Sequence, residues 1–204
     1  FLVIIFSWLL LSFMPEPLRL FVTPPADLEA ERALIGRAVA ELPIQIGVEI
    51  RRTPARGATY EDIFELIGNV DRVYFLIGED ITAPSGAEWF LAWKLERSIL
   101  PLRHEGRPTP AAQDFLRLYP GQWVTFRTGV ELIRLVTLDL ARILHHPTNR
   151  YGLSVTELEL LNLHVRRLEN GRSEQAWEPG GAEGGGILLD LGHREPVQGI
   201  ALGE

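Results

Sequence analysis

Cysteine is absent from the 204 residues, which excludes disulfide bridges and thiolate metal sites and suits a reducing cytoplasm. A basic surplus is missing too. Twenty Lys and Arg stand against 27 Asp and Glu, for a net charge of −7, which argues against a nucleic-acid partner held through a broad basic face. No apolar run reaches the ~20 residues that a membrane-spanning helix needs, so a membrane partner is not expected. The longest, FLVIIFSWLLLSF at residues 1–13, has only Ser7 and Ser12 as polar positions and no basic residue. A signal peptide would carry a positive flank and a small-residue cleavage site, and neither is visible. The single methionine, Met14, follows directly. Residues 1–13 are therefore expected to be an apolar leader outside the domain, with Met14 as the working start. Nucleotide-binding glycine motifs, a P-loop and a Ser-His-Asp pattern are also lacking.

What is present reads as an ordinary globular chain, 46% apolar and 23% charged, long enough for one domain with a sizeable core. Short β-type runs alternate with amphipathic stretches. The runs LRLFV, IQIGVEI, RVYFLIG, SILPL and QWVTF are predicted strands. Between them lie helices, one with Leu28, Leu34, Ile35, Ala38, Val39 and Leu42 on a single face. Thr59 with Asp62, and Thr128 with Glu131, are predicted capping boxes. Five strands separated by helices imply an α/β fold with a doubly wound parallel sheet covered on both faces. The expected organisation is an α/β domain at 14–146, a C-terminal helical segment at 147–171 and a Gly-rich linker with possible short strands at 172–204. Ser154 and Glu157 should cap the last helix, and Asn170-Gly171 should end it.

Chemistry is sought beyond the carboxyl ends of the strands, where open parallel sheets place their ligands. Thr23, Glu79, Asp80, Ser85 and Glu88 all fall just after a strand or at the helix start that follows one. Glu88 has two readings. Ser85-x-x-Glu88 before an apolar helix is a capping box, whereas a carboxylate in that place can attack an anomeric carbon or stabilise an oxocarbenium-like transition state. Thr23, Asp80, Ser85 and Gly86 complete the candidate ligand-binding set. Arg51, Arg52 and Arg56 form a basic loop able to meet a phosphate, although a solvated loop is the simpler reading. Trp89 and Trp93 fit core or interface. His145 and His146 lack metal-ligand spacing, so neither a metal nor a cofactor is expected.

The stretch LRLFVTPPADLEAERALIGRAV resembles the opening of the domain of unknown function 4062 family, whose signature reads F-[IV]-S-S-T-x-x-D-L-x-x-E-R. Phe21, Val22, Asp27, Leu28, Glu31 and Arg32 match it in register. VDRVYFLIG and SGAEWFLAWKLERSILPL resemble its later blocks, so the likeness spans about residues 18–146. It implies a flavodoxin-like, TIR-like fold of strand order 2-1-3-4-5, related to Toll/interleukin-1 receptor (TIR) domains and nucleoside deoxyribosyltransferases. In those folds an acid at the start of the corresponding helix handles ribosyl chemistry, and Glu88 is the matching position. Arg32 is expected to make a buried or half-buried structural ion pair rather than to touch a ligand.

The chain also departs from the family pattern. Thr23-Pro24-Pro25 replaces the hydroxyl-rich Ser-Ser-Thr, and proline removes backbone donors. Glu79-Asp80 replaces a Tyr-Gly, and an acidic pair there would repel phosphates. The expectation is therefore a TIR-like signalling or defence module working in recruitment or assembly, part of a longer protein, with protein partners or self-assembly. The alternative is an N-glycosidase acting on NAD or a nucleotide, with Glu88 as the catalytic acid.

Overall fold

The computed structural model describes residues 15–23, 26–54, 56–119 and 121–176. The leader at 1–13, Met14 and the Gly-rich stretch with its possible strands after Ala176 lie outside the described residues. The order of elements is β1 (Leu18–Thr23), α1 (Glu29–Ala40), β2 (Val48–Arg51), α2 (Tyr60–Gly68), β3 (Arg72–Ile77), α3 (Ala83–Lys94), β4 (Ile99–His104), α4 (Pro110–Leu118), β5 (Val124–Phe126), α5 (Gly129–Leu144) and α6 (Val155–Ala176).

Period-two alternation along the central strands divides the core in two. In β1, Leu18, Leu20 and Val22 pack with one helical layer and Phe21 with the other. In β3, Tyr74 and Leu76 join the first layer, while Val73, Phe75 and Ile77 join the second. Strands covered on both faces need no polar side, which is why both read as nearly unbroken apolar runs. The sheet is wholly parallel in the order β2-β1-β3-β4-β5, as expected for a flavodoxin-like fold. α1 and α5 cover one face, through Ile35, Ala38, Leu132, Val136 and Leu140. α2, α3 and α4 cover the other, through Ile63, Ile67, Trp89, Ala92 and Ala112.

The helix starts at Thr59, Thr128 and Ser154 form as their sequences predict. Each hydroxyl accepts the amide three residues on. Asp62 and Glu157 accept in return from the Thr59 and Ser154 amides. Glu131 accepts instead from the Arg127 amide, one residue before Thr128, so that box is only half closed. The expected stop at Asn170-Gly171 does not occur, because α6 continues to Ala176. Glycine inside a helix costs only about 1 kcal/mol against alanine, so it permits an end without imposing one. α6 belongs to the domain: Leu161 is fully buried beside α5, and the Arg134 side chain donates to the Leu168 carbonyl at 3.1 Å.

The amino end of the sheet is fastened electrostatically. The Arg72 guanidinium forks onto the buried Asp139 carboxylate, with its Nε donating at 2.8 Å. Asp71 accepts from the Arg19 amide at 2.8 Å and from Arg150 at 2.7 Å. These contacts leave the carboxyl end free of structural ion pairs of that depth among the described residues. No described helix is long and apolar enough to cross a membrane.

Candidate functional site

β1 ends in Thr23, and β2 runs into Arg52-Thr53-Pro54. β3 leads, past a short loop, to the start of α3, while α1 begins beside them with Glu29 and Arg32. Side chains from all four places line an open cleft of about 870 Å³, within the usual range of small-molecule sites. In the order 2-1-3 the carboxyl ends of β1 and β3 bound the crevice where the winding reverses, and doubly wound sheets bind their ligands there.

The capping box expected at Ser85 and Glu88 does not form. The helix starts one turn earlier, with Thr82 as its N-cap. The Thr82 hydroxyl accepts from the Ser85 amide at 3.5 Å and lies 3.0 Å from the Ser85 hydroxyl. Pro84 then falls in the first turn, where its fixed φ is helical and its missing N–H would have had no partner within the helix. Two cap-competent residues stand three apart here, and the earlier one takes the position. Glu88 is thereby displaced into the second turn, on the buried face of α3, and caps nothing.

That displacement changes the chemistry of the acid. Glu88 is only 5% exposed, and its carboxylate accepts a hydrogen bond from the Thr53 hydroxyl. Burial pushes the Glu88 carboxyl up to about 6, against a smaller opposing effect of the Thr53 hydrogen bond. Water excluded from a carboxylate destabilises the charged form, and one donor offsets part of this. Thr23, on the same side of β1 as Phe21, is 2% exposed, and its Oγ1 has no hydrogen-bond partner among the described residues. Behind Glu88 an aromatic wall closes the core, with Trp89 edge-on to Phe75 at 4.8 Å and stacked on Trp123 at 5.3 Å.

The rim is charged. Arg32 Nη2 lies 2.6 Å from Glu29 Oε1, and Arg52 Nη1 lies 3.5 Å from the same oxygen. The Arg32 hydrogen bond holds the Glu29 carboxyl below its usual range. The buried or half-buried structural pair expected of Arg32 does not form: its partner Glu29, on its own helix, is 55% exposed, and Arg32 itself lines the cleft. Such a pair is worth about 0.2–0.5 kcal/mol, well short of a buried bridge.

Of the residues singled out in the sequence, the cleft gathers Thr23, Arg32, Arg52, Ser85 and Glu88. Asp80 and Gly86 are not among its lining residues. Asp80 is exposed and accepts from the Thr109 hydroxyl at 2.5 Å, tying the loop after β3 to the start of α4. Glu79 is exposed as well, and its amide donates to Asp27 Oδ2 at 3.0 Å. The repulsion expected from this acidic pair is therefore not directed into the cleft. Asp27 reaches that amide across Gly78, where a Cβ would stand 2.1 Å from its carboxylate oxygen. Arg51 turns away to Glu49. Trp89 is core, and Trp93 is 60% exposed.

Thr53, Glu29 and the cleft-facing role of Arg32 were not read from the sequence. Of the basic loop expected to be able to meet a phosphate, Arg52 lines the cleft and Arg51 and Arg56 do not. The rule that places ligands beyond strand ends also covers Thr53, which follows β2 by two residues. No group of three or more His, Cys, Asp or Glu among the described residues has the arrangement of a metal site. No family model matches the chain, and no curated protein matches it.

Proposed function

We propose that the cleft takes a nucleotide-type N-glycoside, NAD or a smaller nucleotide, and that Glu88 acts at its anomeric carbon. The observation that carries this reading is a buried carboxylate that caps no helix, opens on a cleft of about 870 Å³ and has its pKa raised to about 6. Buried acids with shifted titration concentrate at reactive sites. The resemblance of Phe21, Val22, Asp27, Leu28, Glu31 and Arg32 to the domain of unknown function 4062 signature supports the same reading, within a TIR-like fold.

Hydrolysis of such a ligand breaks the anomeric C–N bond, and its electron pair leaves with the base. Positive charge then builds on the anomeric carbon and ring oxygen, next to the Glu88 carboxylate, which stabilises it electrostatically or by direct attack. Water then adds its oxygen to the anomeric carbon, breaking the ester bond to Glu88 and releasing its carboxylate where the acid has attacked directly, and one of its protons ends on the departed base. The Thr53 hydroxyl keeps Glu88 oriented and favours its charged form ahead of the reaction. The test is release of free base from NAD and nucleoside monophosphates by the purified chain. Wild type should release base, and Glu88→Gln should lose at least ~100-fold of that rate with its fold intact. Equal rates in both proteins, or none in either, would refute the reading.

A second reading, recruitment or assembly in signalling or defence, is favoured by Phe64, Phe90 and Trp93, which are 45%, 47% and 60% exposed on the layer of α2 and α3. Phe90 and Trp93 adjoin, with ring centroids 6.3 Å apart, and contiguous exposed apolar surface marks contact sites. Sedimentation of wild type against Trp93→Ala tests it, and identical monomeric behaviour in both would count against self-assembly.

A further inference from the structure

Glu29 Oε1 receives two guanidinium groups, Arg32 Nη2 at 2.6 Å and Arg52 Nη1 at 3.5 Å. The two arginines come from different elements, the first turns of α1 and the loop after β2, and converge at the cleft that holds Glu88. An anionic oxygen held between two guanidinium groups is also how proteins hold a phosphate, because the planar donor fork of arginine matches either anion. Glu29 is 55% exposed and Arg52 52% exposed, whereas Arg32 is 29% exposed. The carboxylate can therefore swing into solvent without disturbing the core, while Arg32 stays in place on the helix wall. An independent observation points to a ligand in the same cleft: Thr23 Oγ1 is buried at the end of β1 with no hydrogen-bond partner among the described residues.

We propose that Arg32 and Arg52 form the subsite for a phosphate of a nucleotide, and that Glu29 is a displaceable internal anion standing in that seat. This rests on the reading of the cleft as a nucleotide-type site and adds the group that selects the phosphorylated ligand over the plain nucleoside. Glu29 also makes the subsite selective. A weak anion does not displace a carboxylate already paired twice, whereas a dianionic phosphate anchored by its ribose and base does.

Calorimetric titration of the full chain carrying Glu88→Gln, which blocks turnover, tests the subsite with AMP, adenosine and inorganic phosphate. AMP should bind at least about tenfold more tightly than adenosine, and that advantage should shrink as salt is raised. Adding Glu29→Gln should tighten AMP by about threefold to tenfold and leave adenosine unchanged. Adding Arg52→Ala, an exposed position where folding is not at risk, should bring AMP down to the affinity of adenosine. Equal binding of AMP and adenosine, each displaced by the other, would overturn the subsite while leaving the cleft reading intact. Inorganic phosphate binding as tightly as AMP would overturn the nucleotide assignment in favour of a free-anion site. Binding of neither AMP nor adenosine would overturn both the subsite and the reading it rests on.

Discussion

Glu88 has lost most of its water and gained a single hydroxyl donor, and that imbalance has measurable consequences. The folded protein holds the Glu88 proton more tightly than the unfolded chain, since its pKa stands at about 6 against an ordinary 4.5. Ionising this side chain therefore opposes folding. The penalty is absent below the unfolded value, grows as pH rises through the folded one, and reaches about 2 kcal/mol at full ionisation. Urea unfolding of wild type and Glu88→Gln between pH 4 and 8 should show the wild type losing that much stability relative to the variant as pH rises. A constant difference would contradict the assignment. Thr53→Val removes the donor that favours the charged form, so carbon-13 titration of the Glu88 carboxyl should move further above about 6. Both readings of Glu88 were legible in the sequence, but that it caps no helix was not. Ser85-x-x-Glu88 satisfies every local rule for a capping box, and only the competition from Thr82, with Pro84 between them, shifts the helix start by one turn.

Helices with an uncontested hydroxyl at the start were readable, as Thr59, Thr128 and Ser154 show, because a cap is a contact between residues three apart. Contacts between distant elements were not. Nothing near Arg72 in the sequence announces Asp139, nor does anything near Asp27 announce the amide of Glu79. The first of these fastens α5 to the sheet. The Arg72 side chain is 16% exposed and that of Asp139 5%, so Asp139→Ala would strand a guanidinium away from water. A loss of about 3–5 kcal/mol is expected on urea unfolding. Asp114→Ala, which breaks a pair exposed on both sides, should cost under about 1 kcal/mol. The end of α6 was misread because Asn-Gly favours a stop without requiring one. Leu161, fully buried on that helix, should cost about 2–5 kcal/mol when changed to Ala, as a core residue does and a linker residue does not.

For the molecule as a whole, the division of labour runs along the strands. Buried or half-buried ion pairs fasten the amino end of the sheet, and the carboxyl end carries an open cleft whose polar groups are only partly satisfied. The doubly wound topology followed from alternating strand and helix patterns, since parallel strands need crossovers and crossovers cover both faces. The place of the cleft followed from the same topology, which puts Thr23, Ser85 and Glu88 beyond the strand ends. Its shape did not, because that depends on how far the loops after β1 and β2 stand from the second turn of α3. We propose that this cleft holds a nucleotide-type ligand with its anomeric carbon at Glu88. The most direct measurement is a crystal structure of the Glu88→Gln chain soaked with AMP, where the slow variant preserves the glycosidic bond. The ribose should lie against residue 88 and Thr53, with the phosphate between Arg32 and Arg52 and Glu29 turned outward. A nucleotide bound elsewhere on the molecule, or an empty cleft at saturating AMP, would rule out nucleotide binding at Glu88.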